Sequence, residues 1–196
     1  MGVLYNYTST RRTFYISRII DEEIKKMIYA YDKVYLRIAQ RSLGEMLSYA
    51  VYDLGYELED YYKIFLQSKY SMRFSKGDLF VITGMSGAEL AIRVLDIPDD
   101  DIIMPSYNTA KSQEYWTGWI LAYYQWENGK TFEMIDKEIP ICKIRNMYNP
   151  YHEMDISSAI LKLREMSQVS RAETYLKKLR KRAGISPVSY THLRAH

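Results

Sequence analysis

Cysteine is almost missing from this 196-residue chain, in which Cys142 stands alone. One thiol cannot close an internal disulfide, and no cluster of cysteines offers a zinc site, so the composition points to a reducing, cytoplasmic compartment. Long apolar runs are missing too. No stretch approaches the roughly 18 uninterrupted apolar residues of a membrane span, and the N-terminus lacks the basic, apolar and small-residue order of a secretory signal. Histidine is scarce, and two of the three, His192 and His196, lie in the last five residues. Acidic surplus is also lacking, since the net charge is +3. That figure conceals an asymmetry. Residues 171–196 hold seven Lys/Arg and one acidic residue, which leaves 20 basic against 23 acidic residues in 1–170. Only the C-terminal end is suited to polyanions.

Motifs that carry chemistry are equally sparse. His152-Glu153-Met154-Asp155 resembles a metalloprotease helix only superficially, because such a helix needs a second histidine four residues on and position 156 is Ile. A nucleophile pair of Cys142 and His152 has no supporting signature, and Cys142 reads as a small core residue. Gly84-Met-Ser-Gly87 lacks the Lys-Ser/Thr that completes a phosphate loop, and its Ser86 is better explained as a helix cap. The acidic run Asp99-Asp100-Asp101 lacks the ligand spacing of a calcium loop and reads as a solvated turn after Pro98. The expectation is a protein that is not an enzyme, with no cofactor, no metal and no evident small-molecule substrate.

What is there is helical periodicity, and the fold class expected is all-α. Phe14, Ile16, Ile19, Ile20, Ile24, Met27, Ile28 and Tyr31 fall mostly at three- and four-residue steps, predicting an amphipathic helix over 14–31. The pattern resumes from Val34 to Leu54 after a break near Asp32, and Gly55 closes it. Leu58, Tyr61, Tyr62, Phe65 and Leu66 predict a third helix, with Glu57, Glu59 and Asp60 against the positive end of its dipole. Ser71 to Gly84 gives a weak signal and reads as a loop, although Leu79 to Thr83 is rich in β-branched residues. Ser86 and Glu89 form a capping-box pattern for a helix to Leu95.

Ser112 to Asn128 (SQEYWTGWILAYYQWEN) is apolar nearly all round. Trp116, Trp119, Ile120 and Tyr123 share a face, while Tyr115, Leu121, Tyr124 and Trp126 fill much of the rest, which places this helix in the middle of a bundle. It holds no Lys or Arg, so it makes a poor base-stacking platform. Gly118 inside it costs about 1 kcal/mol relative to alanine, a cost expected where another backbone comes close. Asn128-Gly129 ends it, Thr131 caps a short helix through Ile139, Pro140 opens another to Met147, and Asn149-Pro150 marks a turn. Asp155 sits where a cap belongs before Ile156, Ala159, Ile160 and Leu163. Twenty tyrosines predict a core rim rich in hydroxyl hydrogen bonds. Gln168 to Arg171 is expected to be the joint between this domain and a basic helix.

Ala172 to Ser186 (AETYLKKLRKRAGIS) carries a more specific signal. Leu176, Leu179, Arg180, Lys181, Arg182, Ala183, Gly184, Ile185 and Ser186 match the end of the first helix and the turn of Xre-type, phage-repressor-like helix-turn-helix regulators. The chain resembles that family over this stretch only. Pro187 to His196 (PVSYTHLRAH) resembles a translated sequencing adapter and is set aside from fold reasoning. Ser112–Trp126 and Ile156–Glu165 resemble a helical domain that precedes an Xre-type domain in bacterial regulators. The resemblance implies three parts: a helical protein-interaction or regulatory domain over 1–168, the first helix of a truncated DNA-binding domain over 170–186, and a non-native tail over 187–196. It implies a cytoplasmic transcriptional regulator of the antitoxin or autoregulator kind, with DNA as partner of the intact protein and a protein partner, a toxin or a second copy, on the helical domain. Lys177, Lys178, Arg180, Lys181 and Arg182 are the expected phosphate contacts, while the helix that reads bases is missing from this chain. The alternative is a stand-alone helical binding module with a basic tail.

Overall fold

The computed structural model describes residues 29–98 and 112–183, whose regular structure is all helical, with no strand among them. The expected helix at 14–31 and the acidic run at 99–101 lie outside the described residues, apart from Tyr29 to Tyr31, which bend rather than coil. Asp32 caps a 3-10 turn over Lys33–Tyr35 through a bond from the Val34 N–H (3.0 Å). The break expected near Asp32 is therefore real. The chain then enters α1 (Leu36–Tyr52). Gly55, at φ +73°, closes the turn after α1, a left-handed conformation that glycine adopts without a side-chain clash.

Next comes α2 (Leu58–Gln67), with Glu59 and Asp60 in its first turn and Leu58, Tyr61, Tyr62 and Phe65 buried as the periodicity predicts. The loop expected over 71–84 is instead two short helices, α3 (Lys69–Ser75) and α4 (Leu79–Thr83). Local caps start both: the Ser68 hydroxyl accepts from the Ser71 N–H, and the Asp78 carboxylate accepts from the Phe80 N–H. Burial does the rest. Tyr70, Phe74, Val81 and Ile82 are inside the core, and the gain from burying them outweighs the modest helix propensity of the β-branched run. An Arg73–Asp78 ion pair (2.7 Å) spans the turn between the two helices. Arg73 and the bonds from the α4 backbone hold the Asp78 carboxyl below its ordinary value, despite an opposing effect of desolvation.

The capping box forms as read. Ser86 accepts from the Glu89 N–H and Glu89 from the Ser86 N–H, opening α5 (Gly87–Leu95). The central helix is α6 (Gln113–Asn128), capped by Ser112 and closed by Gly129. It packs most extensively on α1. Burial runs nearly all round it, and of the expected Trp116–Trp119–Ile120–Tyr123 face Ile120 is sealed while the three aromatics are half-buried; its deepest face is a smaller, more polar one of Glu114, Thr117, Gly118, Leu121 and Gln125. Small residues permit this. Gly118 and Gly44 meet where α6 crosses α1, so the backbones touch and the aromatics are left to the flanks. Gln125 then ties α6 to its neighbours by donating to the Ser75 (3.1 Å) and Lys130 (2.9 Å) carbonyls.

The remaining elements pack along α6. They are α7 (Phe132–Glu138, capped by Thr131), α8 (Ile141–Arg145, with Pro140 just ahead of it and an end two residues short of Met147), the single turn α9 (Tyr148–Tyr151) and α10 (Ile156–Arg182, capped by Asp155). Helix α8 lies at the first turn of α6 and α10 at its last. The aromatic core runs through Phe65, Phe132 and Phe74, whose rings pack at 5.3 and 5.4 Å. The hydroxyl-rich rim expected from the tyrosines forms only in part: Tyr52 donates to Glu114, whereas the buried hydroxyls of Tyr31 and Tyr61 have no hydrogen-bond partner among the described residues. Cys142 is half-buried rather than a full core residue.

No joint breaks the chain at 168–171. Helix α10 runs unbroken for 27 residues, about 40 Å, from the core into solvent. What changes is burial. Ala159, Ile160, Leu163 and Ser167 are its buried residues, and nearly everything beyond is exposed. A helix propagates through such a boundary because each added residue needs only its own backbone bond, whereas a tertiary contact needs a neighbour.

Candidate functional site

The base of the exposed arm is clamped before it leaves the core. Arg164 forms a two-pronged pair with Glu127 of α6. Glu138, at the end of α7, accepts from Lys130 Nζ (2.5 Å) and the Ser167 hydroxyl (2.5 Å) and pairs with Arg171 (3.2 Å). Burial pushes the Glu138 carboxyl up, but the bonds from Lys130 and Ser167 and the charges of Lys130 and Arg171 outweigh it and hold the group below its ordinary value. The clamp ends at Arg171.

Beyond it, residues 171–183 carry six Lys/Arg against the single acid Glu173, and every one of them is exposed. At about 100° per residue, Val169, Ala172, Leu176, Leu179 and Ala183 fall on one stripe roughly 80° wide. Lys177, Lys178, Arg180, Lys181 and Arg182 spread over the remaining arc. The arm is thus amphipathic although nothing described covers its stripe: Val169 is 58% exposed, Leu176 48% and Leu179 40%. Lys177, Lys178, Lys181 and Arg182 form no ion pair among the described residues. The five expected phosphate contacts therefore lie together on one projecting helix.

The other residues singled out in the sequence do not converge. His152 stacks on the Tyr148 ring (4.1 Å, 10°) and its Nδ1 lies 2.9 Å from the Tyr148 carbonyl oxygen, which is a helix-end packing role. Among the described residues no three His, Cys, Asp or Glu side chains gather as metal ligands. No described helix is long and apolar enough to cross a membrane.

Two features escaped the sequence reading. Glu114, fully buried at the start of α6, accepts from Arg145 Nε (2.9 Å) of α8 and from the Tyr52 hydroxyl (2.5 Å) of α1. The hydrogen bond to Glu114, followed by desolvation, pushes the Tyr52 hydroxyl up to about 12. This trio locks three helices together. Nothing in local sequence marks it, since its members come from positions 52, 114 and 145.

The second is a half-open groove of about 740 Å³ between the first half of α1, the α4–α5 turn and the first half of α6. Trp119 and Tyr115 line one side, Ile38 and Met85 add apolar surface, and Arg37 and Arg41 stand at α1. Arg41 is neutralised by Glu45 (2.9 Å), whose other oxygen takes the Gly87 N–H at 3.3 Å. Ser42, 4% exposed, also lines it, and its hydroxyl has no hydrogen-bond partner among the described residues. The half-buried Trp119 and Tyr115 on an otherwise central helix were the available signal.

Comparison with protein-family models, with curated proteins and with solved structures found no match for this chain.

Proposed function

We propose that the chain is the helical, partner-binding portion of a bacterial DNA-binding regulator of the antitoxin or autoregulator kind, and that the end of α10 is its phosphate-contacting element. The observation that supports the reading is the projecting arm, with five cationic side chains on one arc and an apolar stripe on the other that no described residue covers. Lys177, Lys178, Arg180, Lys181 and Arg182 would sit along a DNA backbone, and Leu176 and Leu179 would seat the remaining helices of a helix-turn-helix. Contacts of this kind position a protein on a duplex without reading bases. The chain alone therefore has salt-sensitive affinity for DNA and no preferred operator.

Fluorescence anisotropy with a labelled 20-base-pair duplex, repeated over a range of salt concentrations, tests the reading. Five phosphate contacts give a log–log salt slope of about −4.5, and Lys177→Glu with Lys181→Glu removes most of the binding at low salt. No binding at low salt, or binding indifferent to the charge reversal, overturns it. Sequence-specific nanomolar binding by this chain would overturn the backbone-only part. Sequencing the native locus past the codon for Ser186 is the companion test, with two further Xre-type helices the expected result.

A further inference from the structure

The groove between α1, α5 and α6 holds chemistry that the regulator reading leaves unused. We propose that it is a binding site for a small planar organic acid, an aromatic or conjugated ring bearing a single carboxylate. Its volume of about 740 Å³ falls within the roughly 300–1,000 Å³ of sites that hold small organic molecules. Two aromatic side chains, Trp119 and Tyr115, give a flat ring something to stack on, and Ile38 and Met85 keep the surroundings apolar.

Charge selects the headgroup. Arg41 and Glu45 cancel each other, and Glu45 also occupies the Gly87 N–H, so that donor is already taken. Arg37, one helical turn before Arg41 on α1, has no carboxylate partner among the described residues. One unmatched guanidinium matches one carboxylate, in the two-pronged geometry that makes such pairs strong. A phosphate or a dianion is disfavoured, because the Glu45 carboxylate lines the same groove. Ser42 gives the independent second observation. Its buried hydroxyl lies in the groove wall with no hydrogen-bond partner among the described residues, a condition that native interiors rarely leave uncorrected, so this wall has an unmet polar requirement.

Isothermal titration calorimetry of the full chain with trans-cinnamate tests the assignment, with cinnamamide as the uncharged isostere. Saturable one-to-one binding with a Kd below about 1 mM is expected. Cinnamamide and the Arg37→Gln variant each bind about tenfold more weakly or worse, while Lys177→Gln leaves cinnamate affinity unchanged. Trp119→Leu weakens binding of both probes, and circular dichroism checks that each variant is folded. Absence of saturable cinnamate binding at millimolar concentration, or affinity indifferent to Arg37→Gln, overturns the proposal. So does a peptide with acidic and aromatic side chains that binds in the groove where cinnamate does not. DNA affinity is read separately, on residues of α10, so failure here is distinguishable from failure of the regulator reading.

Discussion

Gly118 of α6 lies directly against the backbone of Leu43 in α1, so closely that a methyl group on Gly118 would fall 2.4 Å from the Leu43 carbonyl oxygen. Backbone cannot rotate away as a side chain can, so any Cβ here separates the two helices. Gly118→Ala gains about 1 kcal/mol in helix propensity, yet overpacking of a tight core costs about 1–3 kcal/mol and can cost more where backbone must move. A net loss of about 1–2 kcal/mol is expected in urea denaturation. A variant as stable as the parent would mean that the crossing is looser than described.

The Glu114–Arg145 pair makes a second prediction. Glu114 is fully buried and depends on Arg145 and Tyr52 for its hydrogen bonds. Removing one partner of a buried ion pair costs about 3–5 kcal/mol, and the partial exposure of Arg145 puts the expected loss for Arg145→Ala nearer 3. Tyr52→Phe, which deletes a single bond to a charged group, should cost about 1.5–3 kcal/mol. Stability of the double variant Arg145→Ala with Glu114→Gln then recovers part of the loss, because the orphaned charge is gone. A double variant no more stable than Arg145→Ala alone refutes that account.

The clamp at the base of the arm responds to acid. The Glu138 carboxyl lies below its ordinary value of 4.5 in the fold, so the folded state binds its proton more weakly than the unfolded chain does. Its stabilising contribution is fully present above pH 4.5 and disappears as pH falls through the lower folded value. Glu138→Gln should lower stability at pH 7 by about 1–3 kcal/mol, since Lys130 loses its partner, and should flatten the acid limb of a stability–pH curve. An unchanged acid limb would show that other carboxylates carry it.

Hydrogen exchange should divide α10 in two. Amides around 159–167 are backed by the core and exchange only on larger openings, whereas those of 172–182 are held by helix bonds alone and exchange faster by orders of magnitude. Uniform protection along the helix would mean that something covers the arm in solution.

Ser86 gives a local control. Its hydroxyl caps α5 in a reciprocal box with Glu89, and Ser86→Ala should cost about 1 kcal/mol in thermal or denaturant unfolding. A neutral change would place the start of α5 under tertiary rather than local control.

Local sequence determined a good part of this protein. The break at Asp32, the closures at Gly55 and Gly129 and the caps at Ser86, Thr131 and Asp155 are all set by hydrogen bonds or steric limits within a few residues, so they could be read without the fold. The same holds for the cationic arc of Lys177 to Arg182, because helical spacing alone puts those charges side by side. Tertiary structure decided the rest. Helices α3 and α4 are too short to announce themselves and exist because Phe74, Val81 and Ile82 find a core to enter. The unbroken run of α10 through 168–171 is one backbone ladder whose only change is the loss of neighbours. The Glu114–Arg145–Tyr52 trio and the groove around Arg37, Ser42 and Trp119 join residues far apart in the chain, and their chemistry arises only when packing removes water from between them.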